Sequence, residues 1–162
     1  MKLKMIVAMT KNLGIGINNT IPWYCKEDLK RFSLLTKGSG KNAIIMGKNT
    51  WNSLPKKPLL NRSNIIISNT LEDKENIVLS SIEESINFCL SKNYDEAWII
   101  GGSMIYKEFI DHPLLTEIEM SLIIKDYDCD TFFPGIPLNF EINSLKKSDD
   151  ESCYFCNFIR KY

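Results

Sequence analysis

The stretch Ala97-Trp98-Ile99-Ile100-Gly101-Gly102-Ser103 decides the fold class, because its apolar run is followed directly by two glycines. Consecutive apolar residues bounded by a turn signal are typical of a strand covered on both faces, as in a parallel sheet. The segment that follows, 103–110, carries apolar residues at helical spacing. A strand that turns directly into a helix is the repeating unit of α/β folds.

The same alternation of strand and helix extends over most of the chain. Strand patterns occur at 3–9, 43–46, 64–68, 77–79, 97–100 and 117–124; helical patterns occur at 26–35, 81–90 (N-cap Ser80 or Ser81), 103–110 and from Trp51, with Thr50 as its cap. Segments 140–147 and 153–160 flank a polar stretch and predict an antiparallel hairpin. We therefore predict an α/β fold with a central, mostly parallel, twisted sheet of about eight strands, a C-terminal antiparallel hairpin and about four flanking helices.

Size and charge restrict the functional class. The 162 residues are expected to form one domain, 1–162, without a fused second domain. Lys+Arg and Asp+Glu number 20 each, and this balance argues against a general nucleic-acid-binding surface. No apolar run approaches the roughly 18 residues of a membrane span, and the segment 1–5 is too short and interrupted for a signal peptide. We expect a cytoplasmic monomer that binds neither nucleic acid nor membrane.

The five cysteines lack the spacing of a disulfide framework, so free thiols in a reducing compartment are expected. Cys153 and Cys156 have the spacing of a redox or zinc motif, but in a strand they point to opposite faces. The single histidine, His112, lies in the turn Asp111-His112-Pro113. Neither a serine–histidine pair nor a metal site can be built around it, and no metal is expected.

Two glycine-marked strand ends could bind phosphate. At Gly101-Gly102-Ser103, unpaired amides and the helix dipole favour an anion. At Met46-Gly47-Lys48, the glycine permits close backbone approach and the lysine supplies a cation. Each could instead be a tight turn, the second beside a solvated lysine. Together they suggest an extended ligand with several phosphates, lying across the carboxyl edge of the sheet.

Asp28 precedes Phe32 by four residues, so a helix places both side chains on one face, near Leu29 and Trp23. A carboxylate in apolar surroundings costs energy unless it is satisfied, and a flat, nitrogen-rich ligand could satisfy it. The alternative is a solvated residue or a helix cap. Arg62, at the mouth of a strand, could pair with a ligand carboxylate or lie on the surface. An enzyme without a usable histidine or metal takes its chemistry from a cofactor, which here indicates hydride transfer.

A series of short motifs follows in order along the chain: Ile6-Val7-Ala8, Gly14-Ile15-Gly16 with Asn19, Pro22-Trp23, Asp28-Leu29 with Phe32, 46–51, Arg62-Ser63-Asn64, 100–103 with Tyr106, and 130–134. In this order and spacing the chain resembles single-domain dihydrofolate reductases over nearly its whole length. The resemblance implies that NADPH gives a hydride to C6 of 7,8-dihydrofolate while N5 takes a proton. The product, 5,6,7,8-tetrahydrofolate, would serve thymidylate, purine and one-carbon metabolism, and antifolates would bind the substrate site.

The resemblance also assigns residues to the substrate. Asp28 would accept hydrogen bonds from the pterin 2-amino group and N3, and help deliver the proton through water near Trp23. Ser121 stands where a threonine usually hydrogen-bonds this carboxylate; it and Tyr106 complete the implied catalytic set. Arg62 would hold the α-carboxylate of the glutamate tail. The implied substrate contacts are Ile6, Val7, Ala8, Asp28, Leu29, Phe32, Leu54, Leu59, Arg62, Ile100 and Ser121.

The two glycine-marked strand ends would hold NADPH, with Lys48 as the candidate for recognising the 2′-phosphate. The segment 10–24 would be a loop that closes over the nicotinamide and excludes water from the reacting atoms. The implied cofactor contacts are Ala8, Ile15, Gly16, Asn19, Gly47, Lys48, Asn49, Thr50, Ser68, Asn69, Gly101, Gly102, Ser103, Met104, Ile105, Tyr106 and Thr131.

Two alternatives remain at this point. One is a reductase of the same fold that acts on another pterin or on a pyrimidine-type substrate; Arg62 and Phe32 argue against it, because they suit a benzoyl-glutamate tail. The other is a non-catalytic nucleotide-binding module, which has no need of a carboxylate such as Asp28 in an apolar cleft. The chain departs from the common family pattern at Asn61 and Cys129, which replace glycines, and at Asn69, which lacks a positive charge that some relatives carry.

Overall fold

The computed structural model describes every residue from Met1 to Tyr162 and contains four α-helices and ten β-strands. The helices are α1 (Lys26–Lys37), α2 (Lys48–Ser53), α3 (Ile82–Ser91) and α4 (Ser103–Phe109). The strands are β1 (Lys2–Thr10), β2 (Gly14–Gly16), β3 (Ala43–Gly47), β4 (Ser63–Ile67), β5 (Ile77–Leu79), β6 (Glu96–Gly101), β7 (Leu115–Ile123), β8 (Thr131–Phe132), β9 (Phe140–Lys147) and β10 (Cys153–Arg160).

Eight strands form one sheet in the order β5-β4-β3-β6-β1-β7-β10-β9. The first six strands of this order, from β5 at the edge to β7, pair in parallel. Strand β10 pairs antiparallel with both β7 and β9. The predicted α/β architecture and its C-terminal hairpin are confirmed. After β1, the chain builds β3, β4 and β5 outwards on one side and then returns to add β6 between β3 and β1. The next strand, β7, is added on the other side of β1. The direction of winding therefore reverses at β1 and β6, which form the topological switch point. Ligands of open α/β sheets bind in the crevice at such a point.

The sheet separates two hydrophobic cores, because alternate residues of each strand face opposite ways. In β1, Met5 and Val7 point into the larger core, which also receives side chains from α3 and α4. Ile6 points the other way, into a second core with Trp98 and with Trp51 of α2. The central strands are covered on both faces, which explains their continuous apolar runs.

Local differences from the prediction occur at short elements. Helix α2 begins at Lys48 with Gly47 as its N-cap, so Thr50 lies inside the helix and the prediction that it caps a helix from Trp51 is wrong. The strand turns into the helix at once, so the N-cap is the last strand residue, a glycine, which has no side chain to accept a hydrogen bond. In α3, Ser81 is the N-cap, and its side chain accepts a hydrogen bond from the amide of Glu84. The two-stranded sheet of β2 and β8 was not predicted, since its strands have only three and two residues.

All five cysteines are free. Cys156 faces the larger core. Cys153 faces a small cluster that also contains Cys25, and the sulfur atoms of Cys25 and Cys153 are 3.8 Å apart. The prediction that Cys153 and Cys156 point to opposite faces is confirmed. None of the helices combines the length and the apolar character needed to cross a membrane.

Candidate active site

The two glycine-marked strand ends lie side by side at the carboxyl edge of the sheet, because β3 pairs with β6. A Cβ atom on Gly47 would lie 3.0 Å from Cγ1 of Ile105 in α4, and one on Gly102 would lie 3.5 Å from Oγ1 of Thr50 in α2. Gly101 has a φ of 120°, which residues with side chains rarely adopt. The glycines therefore allow the starts of α2 and α4 to pack closely side by side at this edge of the sheet, so that the two helix N-termini could act together on one anionic ligand.

A cation stands beside this surface. Lys48 donates a hydrogen bond from Nζ to the hydroxyl of Thr70 over 3.1 Å. The hydroxyl of Ser68 accepts from the amides of Thr70 and Leu71, at 3.2 and 3.0 Å, which folds the end of β4 into a turn. Ser68 and Asn69 were predicted to lie near the cofactor, but Thr70, which contacts the lysine, was missed. Its only signal was its position directly after them.

Asp28 lies half-buried in the first turn of α1. Burial raises its pKa above the usual value for aspartate, while a hydrogen bond from the Ser121 hydroxyl and the charge of Arg31 partly oppose this rise. Ser121 is buried on β7 and is paired with Ala8 of β1, so the carboxyl group lies over the centre of the sheet. A carboxyl group with a raised pKa can hold a proton closer to neutral pH, as a general acid must.

The apolar side chains predicted to contact the substrate gather around one hydrophobic cluster between the sheet and the helices α1 and α2. Ile6 belongs to the cluster, together with Trp98 and Trp51. The other predicted residues that pack against it are Phe32, Leu54, Leu59 and Ile100. These residues come from α1, from the segment after α2 and from β6, so folding builds one apolar wall from distant parts of the chain.

Other predicted contacts differ in how their side chains are placed. Val7 and Ile105 point into the larger core on the opposite face of the sheet, so only their backbone is available to a ligand. Leu29 is 49% exposed and Met104 is 73% exposed. Asn19, Asn49 and Asn69 are also on the surface. A resemblance in sequence gives the position of such residues along the chain, but not the direction of each side chain.

The hydroxyl of Tyr106 links the two central strands. Its hydrogen is shared between the carbonyl oxygens of Ile6 and Ile100, at 2.8 and 3.0 Å. Burial raises the pKa of this phenol, and the charge of Asp28 raises it further. Tyr106 therefore stays protonated and orients the two carbonyl groups, and it is a poor proton donor.

Arg62 lies half-buried between the C-terminal part of α1 and the end of the preceding loop. It donates hydrogen bonds from Nε to the carbonyl oxygen of Leu60 at 2.9 Å and from Nη1 to the hydroxyl of Thr36 at 3.0 Å. No carboxylate of the protein pairs with it. Burial lowers the pKa of the guanidinium, but far too little to remove its charge near neutral pH. It is a fixed cation available to an anionic group.

Asn64 fixes the loop that carries Leu59. Its side-chain carbonyl accepts from the amide of Leu59 at 2.9 Å, and its Nδ2 donates to the carbonyl oxygens of Leu59 and Arg62 at 2.8 and 3.0 Å. Asn64 is buried, and all these partners are within five residues of it in the chain. It was matched in the sequence only as part of a motif, and its clamping role is visible only in the fold.

The segment predicted to close over the cofactor is attached to the chain near Asp130. Strands β2 and β8 pair Gly16 with Thr131, and the amide of Asn18 donates to the Asp130 carboxylate at 3.1 Å. Asn18 and Asn19 adopt positive φ angles of 50° and 60°, as suits asparagine. The sequence indicated a mobile loop in this segment, but not its tether.

Trp23 lies at the other end of this segment. Its ring centroid is 5.6 Å from that of Tyr127, and it packs on the small cluster of Cys25, Ile123 and Cys153. Because Cys25 is the N-cap residue of α1, the indole is placed beside the turn that carries Asp28. The predicted neighbourhood of Trp23 and Asp28 follows from this short connection.

Comparison with known proteins decides the family. Residues 2–161 match the family model described as dihydrofolate reductase. The chain is 36% identical over 148 residues to the dihydrofolate reductase of Heliothis virescens, covering 83% of this chain and 80% of that protein. It is 36% identical over 151 residues to that of Drosophila melanogaster (86% and 83% covered) and 35% identical over 150 residues to that of Sus scrofa (84% and 81% covered).

The chain belongs to the dihydrofolate reductase family. The predicted family and the predicted enzyme, an oxidoreductase that reduces dihydrofolate, are thereby confirmed. Two departures from the common dihydrofolate reductase pattern can now be placed. Asn61 adopts a φ of 63°, so it takes the left-handed turn that glycine would otherwise supply. The side chain of Cys129 packs directly against Gly14. A Cβ atom on Gly14 would lie only 2.6 Å from the sulfur of Cys129.

Proposed function

We propose that this protein reduces 7,8-dihydrofolate with NADPH as the hydride donor to C6, and that Asp28 assists the protonation of N5. Asp28 carries the proposal, because it is a half-buried carboxyl group of raised pKa at the topological switch point of the sheet. It lies one helical turn before Phe32, which packs on the apolar wall, and the two glycine-marked junctions would hold the cofactor phosphates. General acid assistance of this kind contributes about 10²- to 10⁴-fold to the rate.

The pterin would lie against the wall formed by Ile6, Phe32 and Ile100, with its 2-amino group and N3 donating hydrogen bonds to Asp28. The hydroxyl of Ser121 lies close to the same carboxyl group and would orient it. Tyr106 holds the carbonyl groups of Ile6 and Ile100, which are acceptors at the edge of the same cleft. Oriented donors and acceptors of this kind favour one position of a flat, nitrogen-rich ring.

Arg62 would bind the α-carboxylate of the glutamate tail. Its guanidinium is held by Leu60 and Thr36 and has no acidic partner in the protein. A fixed, half-buried guanidinium suits bidentate binding of a carboxylate. Leu54 and Leu59 would contact the ring between the pterin and the tail.

The cofactor pyrophosphate would lie against the paired junctions at Gly47 and Gly101-Gly102, where the starts of α2 and α4 come together. Lys48 and Thr70 would hold the 2′-phosphate, since they supply an ammonium group and a hydroxyl at one point. Ala8, Ile15 and Gly16 would contact the nicotinamide from β1 and the loop. Closure of that loop would exclude water from the reacting carbon.

We further propose that the protein acts as a monomer in the cytoplasm, that it binds antifolates at the pterin site, and that it has no nucleic-acid partner. Its even charge supports the last point. Analytical ultracentrifugation at micromolar concentration tests the monomer, for which a single species of 18.7 kDa is expected.

The first test of the function is the loss of NADPH absorbance on addition of 7,8-dihydrofolate, with NADH in parallel. We expect turnover with NADPH that methotrexate abolishes, and much slower turnover with NADH. Binding of NADPH without turnover of dihydrofolate would contradict the proposed reaction. The same assay with an oxidised pterin that lacks the benzoyl-glutamate tail tests whether the substrate class is wider.

A further inference from the structure

Arg31 and Glu119 form an ion pair beside the candidate general acid, in which the glutamate side chain is 11% exposed and the arginine side chain 31% exposed. Nη2 of Arg31 lies 2.8 Å from Oε2 of Glu119, whose residue is only 8% exposed. Arg31 follows Asp28 by three residues on α1, so both project from the same side of the helix. Neither Arg31 nor Glu119 belongs to the residues assigned above to substrate, cofactor or proton transfer.

The pair is anchored on its sheet side by further contacts. Oε1 of Glu119 accepts a hydrogen bond from Nδ2 of Asn157 at 2.6 Å, and Oδ1 of Asn157 accepts from Asn143 at 2.9 Å. The guanidinium carbon of Arg31 lies 4.7 Å from the centre of the Phe155 ring. Glu119 is thus fixed by β10 and, through Asn157, by β9, while Arg31 is fixed by Glu119 and an aromatic face.

A second contact between α1 and β7 lies two residues further along the same strand, at Ser121. Glu119 and Ser121 are two positions apart in β7 and therefore face the same side. Ser121 contacts Asp28, and Glu119 contacts Arg31. One turn of α1 is consequently joined to β7 at two points, and rotation of the helix that moved one contact would break the other.

We propose that Arg31 and Glu119 are positioning residues that hold the first turns of α1 against β7 and thereby fix the orientation and charge environment of Asp28. This proposal rests on the proposed function of Asp28. A partly buried ion pair contributes little net stability, because solvent screens its exposed part and desolvation of its buried part offsets the attraction. A geometric role therefore explains the pair better than a contribution to stability does.

The charged and titratable groups near Asp28 define the expected effect on protonation. Arg31 acts from its own helix and lowers the pKa of Asp28. Glu119 lies on β7 beside Arg31. The charge of Asp28 acts on the phenol of Tyr106 in α4, which donates to the carbonyl oxygen of Ile6 in β1. Beyond Glu119, Glu117 forms an ion pair with Lys4 of β1 at 3.5 Å. Removal of the arginine leaves the negative charge of Glu119 uncompensated, which should raise the pKa of Asp28. Removal of the glutamate charge leaves the positive charge of Arg31 uncompensated, which should lower the pKa of Asp28.

The test is the pH profile of kcat/KM in Arg31→Met and Glu119→Gln. We expect both variants to lower the plateau at acidic pH, because the turn of α1 is no longer held. We expect the midpoint of the profile to rise in Arg31→Met and to fall in Glu119→Gln, each by about one pH unit. Arg31→Lys, which keeps the charge, should return the midpoint towards that of the parent protein. Lys30→Met, an exposed change on the same helix, is the matched control and should move neither.

Midpoints that stay fixed, or that move in the same direction, would overturn the proposal, whatever happens to the plateau or the melting temperature. The titration of Asp28 is also followed without turnover, by ¹³C NMR of carboxyl-labelled protein, with Asp28→Asn to assign its signal. Opposite shifts in this spectrum support the effect of the pair on Asp28 even if the parent protein fails to reduce dihydrofolate. The two failures are thereby distinguished.

Discussion

The backbone amide of Asn18 donates a hydrogen bond to the carboxylate of Asp130 over 3.1 Å, which joins the loop at 10–24 to a residue 112 positions further along the chain. The hydroxyl of Thr131 donates to the other carboxylate oxygen at 2.8 Å. These two bonds, the first above all, hold the pKa of Asp130 below its usual value. The contact is therefore fully formed above the ordinary pKa of aspartate and is lost only as the pH falls through the lowered value.

Substitution of Asp130 by asparagine should loosen this loop. The amide of Asn18 loses a charged acceptor, so amide hydrogen exchange in segment 14–20 should speed up. We expect kcat to fall by less than about tenfold, since contacts of exposed charges are weak. Asp128→Asn, an exposed change nearby in the same segment, is the control and should leave both measurements unchanged. Unchanged exchange in Asp130→Asn would show that β2 and β8 hold the loop by themselves.

The preference for NADPH over NADH should depend on Lys48. If its ammonium group binds the 2′-phosphate, Lys48→Gln should raise the KM for NADPH and leave that for NADH nearly unchanged. The preference is expected to narrow by about tenfold or more, as for the loss of one hydrogen bond to a charged group. Thr70→Val should show a smaller effect of the same kind. The control is Lys74→Gln, an exposed lysine four residues after Thr70. An unaltered preference in Lys48→Gln would assign the 2′-phosphate to other residues.

The sequence predicts the main sheet well because its strands carry strong, local signals. The runs at β3, β4 and β6 are apolar throughout, and the glycines after β3 and β6 mark where each strand ends. The location of both strand ends at the carboxyl edge also followed from the fold class, because parallel strands end at one edge. Helical spacing predicted that Asp28 and Phe32 share one side of α1, and both lie on that helix.

Other features could not be predicted, since they depend on partners far apart in the chain. Nothing in the local sequence at Glu119 distinguishes it from a surface residue of an alternating strand, and only the docking of α1 makes it the partner of Arg31. The helix start at Lys48 was missed because Thr50 offered a good capping residue, whereas backbone geometry at Gly47 begins the helix without one. Strands β2 and β8 are too short for a periodic signal.

Recognition of the substrate tail should depend on Arg62. Loss of its charge in Arg62→Gln is expected to raise the KM for dihydrofolate by about 10- to 100-fold and to change kcat little, since the guanidinium is remote from the reacting atoms. Dihydropteroate, which lacks the glutamate, is the matched control substrate. Its KM should be the same for Arg62→Gln and for the parent protein. An equal loss with both substrates would mean that Arg62 supports the fold of the loop rather than the tail.

The most direct prediction concerns Asp28. Because burial raises its pKa, the carboxyl group is protonated over a wider range in the folded protein than in the unfolded chain, and turnover should fall as the pH rises through the raised value. Asp28→Asn should retain NADPH binding but lose about 10²- to 10⁴-fold in kcat near neutral pH, with no remaining dependence on this group. Unchanged turnover would remove Asp28 from the mechanism.

The same shift in pKa predicts an effect on stability. The pKa of Asp28 is raised on folding. Its contribution to the free energy of unfolding is fully present at a pH below its pKa in the unfolded chain. That contribution is lost as the pH rises through its pKa in the folded protein. Asp28→Asn has no charge to bury, so its melting temperature relative to the parent protein should increase from acidic to neutral pH. Glu27→Gln, which removes the neighbouring carboxyl group of the same helix, serves as the control. A constant difference between Asp28→Asn and the parent across this range would show that Asp28 is not destabilised by burial.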